Sequence, residues 1–132
     1  LSIFLLIGLT FVGCKQAPKA PLIERNEEVN EYFITLNELV DEYCDMIILT
    51  DDNPRKENSL SIIHNISKGV TQKNKIFNIP KRKDAIKKSI KISQKNDIVM
   101  ILGKGNEDTI DYGDTSIKHN DIKYLSYLLN EN

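Results

Sequence analysis

The residues best equipped for chemistry stand directly behind apolar runs. Met46-Ile47-Ile48-Leu49 leads into Asp51-Asp52-Asn53-Pro54-Arg55, Ile76-Phe77-Asn78-Ile79 into Lys81-Arg82, and Ile98 to Leu102 into Gly103-Lys104-Gly105-Asn106-Glu107. If each run is a parallel strand, all three polar groups emerge at carboxyl ends of strands, where open α/β sheets bind ligands. Arginine offers a planar fork that pairs bidentately with a carboxylate, which lysine cannot copy. Arg25, Arg55 and Arg82 are the only arginines, and two of them fall in this set. Glycine at a strand end lets the backbone approach a ligand, and Glu107 offers a carboxylate to an ammonium group. The set predicts a cleft for a small zwitterion, its carboxylate on Arg55 and its amine on Glu107. As composition, Asp-Asp-Asn-Pro-Arg also makes an ordinary strand-to-helix turn. Gly-Lys-Gly is not a phosphate loop, because no Gly-x-x-x-x-Gly-Lys-Ser/Thr pattern occurs anywhere.

The elements that must position these residues follow from periodicity. Leu36, Leu39, Val40, Tyr43 and Cys44 recur at helical spacing and predict one apolar stripe, with Cys44 packed in the core. MIIL reads as a strand covered on both faces, and Pro54 with its Asx neighbours breaks it. Leu60, Ile63, Ile66 and Val70 mark a second helix with Gly69 as its stop. Ala85, Ile86, Ile90 and Ile92 line a third, whose lysines 83, 87, 88, 91 and 95 form a solvated face. Ile98 to Leu102, the most apolar stretch in this part, predicts a central strand. Ile110–Tyr112 and Ser116–Lys118 around Gly113-Asp114 predict a hairpin, and Ile122, Leu125, Leu128 and Leu129 a final helix. Strands alternating with helices imply crossovers and a mostly parallel, Rossmann-like α/β sheet, with a short antiparallel hairpin near the C-terminus.

Composition sets the outer limits. The 132 residues carry a formal net charge of −1, with 40% hydrophobic and 28% charged residues, which suits one domain with its own core. The balanced charge argues against a basic nucleic-acid face. Cys14 and Cys44 stand in dissimilar contexts, so no disulfide framework is expected. No His/Cys/carboxylate cluster has ligand spacing, so no metal site is expected either; His64 and His119 read as structural. Residues 1–35 are set apart as an apolar segment and linker. Leu1 to Val12 with Phe11-Val12-Gly13-Cys14 reads either as a lipoprotein signal over residues 1–14, acylated on Cys14, or as a buried parallel strand. The apolar run is shorter than the roughly 18 residues of a membrane-spanning helix.

Taken together, residues 36–132 resemble the C-terminal domain of the Mur ligases, of the UDP-N-acetylmuramoyl-tripeptide synthetase (MurE) type. Ile48 to Arg55 is similar to that family's strand and Asp-Asn-Pro-Arg motif, and Arg82 to Ile86 to its Arg-x-x-Ala-Ile helix start. Ile101 to Glu107 resembles the strand ending in Gly-Lys-Gly-His-Glu, and Asn120-Asp121 the aspartate-bearing turn before the last helix. The resemblance implies a ligase of peptidoglycan-precursor synthesis. Such enzymes use ATP and magnesium to phosphorylate a carboxylate of a UDP-muramoyl dipeptide, which the amine of an incoming amino acid then attacks. Asp-Asn-Pro-Arg implies meso-diaminopimelate as that amino acid. Asn53 and Arg55 would hold its distal carboxylate, and Gly103 and Glu107 would orient its distal end. Asp52, Arg82 and Arg25 are implied as secondary contacts.

The sequence departs from the family pattern in two places. Asn106 replaces the usual histidine, and Lys15 to Thr35 lacks the family's glycine-rich, arginine-bearing stretch, of which Arg25 would be a relic. The ATP-binding and UDP-binding domains have no counterpart here. This predicts a truncated or detached domain that binds no cofactor and is inactive by itself, or one that assembles with a separately encoded ATP domain. The alternative is a membrane lipoprotein using the same fold as a binding module. The corresponding locations are the cytoplasm and, only if Cys14 is acylated, the membrane.

Overall fold

The computed structural model describes the strand Ile3–Ile7 and residues 43–130. In chain order the elements are β1 (Ile3–Ile7), β2 (Met46–Leu49), α1 (Ser59–Lys68), a 3-10 turn (Lys73–Lys75), β3 (Ile76–Asn78), α2 (Arg82–Ile92), β4 (Ile98–Leu102), β5 (Thr109–Asp111), β6 (Ser116–Lys118) and α3 (Asp121–Asn130). Four strands form a parallel sheet in the order β3-β2-β1-β4, and β5 pairs with β6 as an antiparallel hairpin. This is the expected α/β architecture.

Alternation along β2 explains the two sides of the core. Successive strand residues face opposite ways, so Ile47 and Leu49 pack with Cys44, Ile63 and Val70 on one side. Ile48 packs with Ala85, Ile86 and Leu128 on the other. Helix α1 therefore covers one face of the sheet, and α2 and α3 the other. Asn58 caps α1 by accepting from the Ser61 N–H at 3.0 Å. Gly69 follows the helix as expected, but in a right-handed conformation, with its N–H returning to the Ile66 carbonyl.

Two expectations are corrected. Ile98–Leu102 does not run through the centre of the described sheet but along its edge, because β1 lies between it and β2. Its register places Ile3 beside Ile98 and Ile7 beside Leu102, and Ile98 is left 45% exposed. Leu60, Ile122 and Leu129, placed on apolar stripes by spacing, are all exposed. Of the two readings of the first residues, the strand is the one seen for Ile3–Ile7, which joins the same sheet as residues beyond 36. Cys14, Arg25 and most of the helix expected from Leu36 lie outside the described residues. No helix among the described residues is long and apolar enough to cross a membrane.

The register also levels the strand ends. Ile7 stands beside both Leu49 and Leu102, and Leu49 beside Asn78. The chain therefore leaves β2, β3 and β4 at the same end of the sheet, at the carboxyl ends of its strands, and the three polar groups must meet there.

Candidate functional site

The segment after β2 is held by its neighbours before any ligand is considered. The Thr50 hydroxyl and the Asp51 N–H both donate to the Pro80 carbonyl, at 3.0 and 3.1 Å, tying this turn to the end of β3. The Tyr112 hydroxyl donates to Asp51 Oδ2 at 3.0 Å. Burial and this acceptor push the Tyr112 phenol up to about 12. The Asp111 N–H donates to Asn53 Oδ1 at 2.9 Å, and the Arg55 N–H to the Asp111 carbonyl at 2.9 Å. The hairpin thus braces the Asp-Asn-Pro-Arg turn along its length.

Arg55 itself has φ of +55°, a left-handed conformation that costs a non-glycine residue about 1–2 kcal/mol. Its side chain is 76% exposed, with Nε 3.8 Å from Asp111 Oδ2. A charged side chain on a strained, braced turn at a strand end is an arrangement that recurs at ligand sites.

The segment after β4 turns back toward this loop. Gly103 adopts φ of +106°, open to glycine, and the next residue, Lys104, is only 2% exposed. Its Nζ donates to Asn53 Oδ1 at 2.7 Å and to Glu107 Oε2 at 2.6 Å, and lies 3.3 Å from Asp52 Oδ1. Asn53 Nδ2 also donates to Glu107 Oε2, at 3.1 Å. The hydrogen bonds from Lys104 and Asn53 hold the Glu107 carboxyl below its usual range, whereas burial raises Asp52 against the pull of Lys104. The structure therefore brings together Asp52, Asn53, Gly103 and Glu107, with Arg55 at the rim.

Arg82 occupies a different place. It is 2% exposed and donates from Nε and Nη2 to the two oxygens of Asp121, at 2.8 and 2.7 Å. Nη1 reaches the Asp51 carbonyl at 3.1 Å and Nη2 the Leu102 carbonyl at 2.7 Å. His119 Nε2 shares Asp121 Oδ1 at 2.7 Å. Burial opposes ionisation of Asp121, but Arg82 and His119 outweigh it and lower its pKa. Arg82 is thus a clamp beneath the site, joining the ends of β2 and β4 to the starts of α2 and α3.

Sequence reasoning singled out Asn53, Arg55, Gly103 and Glu107 and passed over Lys104, which the fold puts at the centre. The available signal was a lysine set between glycines immediately after an apolar strand. Arranged in this way, the cluster holds two carboxylates against one lysine, an amide donor and an outlying guanidinium. It can take an ammonium on Glu107 and a carboxylate on Arg55 and Asn53. Among the described residues no group of three His, Cys, Asp or Glu side chains could hold a metal ion.

Comparison with known proteins adds to this geometry. A family model described as "Mur ligase, glutamate ligase domain" matches residues 23–105. The UDP-N-acetylmuramyl-tripeptide synthetase of Borreliella afzelii is 41% identical over 87 residues, covering 64% of this chain and 17% of the relative. The UDP-N-acetylmuramoyl-L-alanyl-D-glutamate--2,6-diaminopimelate ligase of Clostridium tetani is 40% identical over 90 residues, covering 68% and 18%. The ligase of the same name from Buchnera aphidicola is 38% identical over 96 residues, covering 73% and 19%. A solved UDP-N-acetylmuramoyl-L-alanyl-D-glutamate--2,6-diaminopimelate ligase superposes with a TM-score of 0.73 at 21% identity, over 98% of this chain and 24% of that one. That superposition speaks for the fold. The chain spans between 17% and 19% of the length of these three curated relatives.

Proposed function

Because the chain belongs to the Mur ligase family through its glutamate ligase domain, we propose that it is the part of such a ligase that selects the incoming amino acid, and that this amino acid is meso-diaminopimelate. The observation that carries the reading is the Asn53–Glu107 pair at the carboxyl ends of the strands, donor and acceptor side by side, with Arg55 two residues along the same turn. Diaminopimelate presents a carboxylate and an ammonium at its distal end. Arg55 and Asn53 match the carboxylate, Glu107 matches the ammonium, and Gly103 lets the backbone lie close to both. The names of the Clostridium tetani and Buchnera aphidicola relatives support the same amino acid.

In the complete reaction the selected amine attacks an activated carboxyl of the UDP-muramoyl dipeptide. Activation with ATP and magnesium belongs on this reading to other parts of the ligase. This domain contributes affinity and orientation for the nucleophile, which lowers the entropic part of the barrier.

Calorimetric titration of the chain with meso-diaminopimelate tests the proposal. Binding is expected, and Arg55→Ala should weaken it about tenfold, in line with loss of one charge-assisted hydrogen bond at an exposed position. Equal affinity of wild type and Arg55→Ala would contradict the assignment of Arg55.

A further inference from the structure

Lys104 is a lysine whose side chain has no exposed surface, and burying an ammonium is costly unless it is paired and hydrogen-bonded. Its Nζ has three protons, and three oxygens face it: Asn53 Oδ1 at 2.7 Å, Glu107 Oε2 at 2.6 Å and Asp52 Oδ1 at 3.3 Å. With two of those oxygens hydrogen-bonded to it and Asp52 paired with it by charge, the ammonium is engaged by the protein rather than offered to a ligand. What it does instead is fix the polarity of its two neighbours. Asn53 Oδ1 accepts from Lys104 and from the Asp111 N–H, at 2.7 and 2.9 Å, and the backbone donor leaves no freedom to exchange the amide's oxygen and nitrogen. The Asn53 amide nitrogen is then fixed as the donor, and Glu107 Oε2, which Lys104 also holds, engages only one of its two N–H groups. The contacts to Glu107 likewise fall on Oε2, so Oε1 remains as an acceptor.

We propose that Lys104 is a positioning residue that sets selectivity for amino acids carrying both an ammonium and a carboxylate at their distal end. It holds Asn53 as a donor toward the carboxylate and Glu107 as an acceptor toward the ammonium. This rests on the reading of the cleft as a diaminopimelate site.

The test uses the full chain, titrated with meso-diaminopimelate and with L-lysine, which lacks the distal carboxylate. Wild type should prefer diaminopimelate at least tenfold, and Lys104→Met should lose about tenfold of that preference while still unfolding cooperatively. A folded Lys104→Met protein with wild-type preference would overturn the role. If wild type shows no preference, the diaminopimelate reading itself fails. Lys104 is then judged from the Asn53 side-chain amide resonances in a ¹⁵N spectrum, which the variant should shift or broaden; unchanged resonances would overturn it. If Lys104→Met does not fold, Asn53→Asp keeps the inward acceptor but removes the outward donor. It should abolish the preference, and an unchanged preference would overturn the proposal.

Discussion

At the scale of single residues, Arg55 carries the clearest tension between stability and function. Its φ of +55° suits glycine better than any residue with a Cβ, and its ion pair with Asp111 is long and exposed, worth little to the fold. Arg55→Gly should therefore leave stability unchanged or raise it by up to about 1 kcal/mol, while diaminopimelate affinity falls. Urea unfolding paired with titration checks both halves. A clear loss of stability would show that the side chain is held for structural reasons. The importance of Arg55 and Glu107 was legible in the sequence because each type has a distinctive chemistry beside a strand end. That of Lys104 was not, because its contacts to Asp52 and Asn53 depend on bringing together strands about fifty residues apart.

At the scale of elements, the clamp made by Arg82 and Asp121 decides whether the strand ends stay level. Removing one partner of a buried pair leaves an uncompensated charge and costs about 3–5 kcal/mol. Arg82→Met should destabilise the protein by that amount in urea unfolding. Because the partners are in contact, the double variant Arg82→Met/Asp121→Asn should lose at least about 1 kcal/mol less than the sum of the single losses; strict additivity would show that the pair is not coupled. The pH dependence has a definite sign. Asp121 has a folded pKa below its usual 3.8, so its contribution is fully present above pH 3.8. It is lost as pH falls through the lower folded value, and Asp121→Asn should flatten that part of the acid profile. Periodicity located most of these elements, because alternation and helical spacing are local properties. It could not place β4 at the edge or expose Leu60, Ile122 and Leu129, since strand order and helix rotation are settled by tertiary packing.

At the scale of the whole molecule, the parallel sheet gathers three short polar segments, each ordinary in itself, at the carboxyl ends of its strands. That gathering is what turns an Asp-Asn-Pro-Arg turn and a Gly-Lys-Gly turn into one cluster with donor and acceptor fixed. Family membership was legible from the order and spacing of those segments, and the match over residues 23–105 bears it out. The central claim is that this cluster recognises meso-diaminopimelate, and the most direct measurement is ¹⁵N chemical-shift mapping during titration of the chain with that amino acid. The account predicts saturable shifts centred on the amides of Asn53, Arg55, Gly103 and Glu107, with the Asn53 side chain among them. Saturable shifts centred on any other part of the sheet, or none at all, would contradict it.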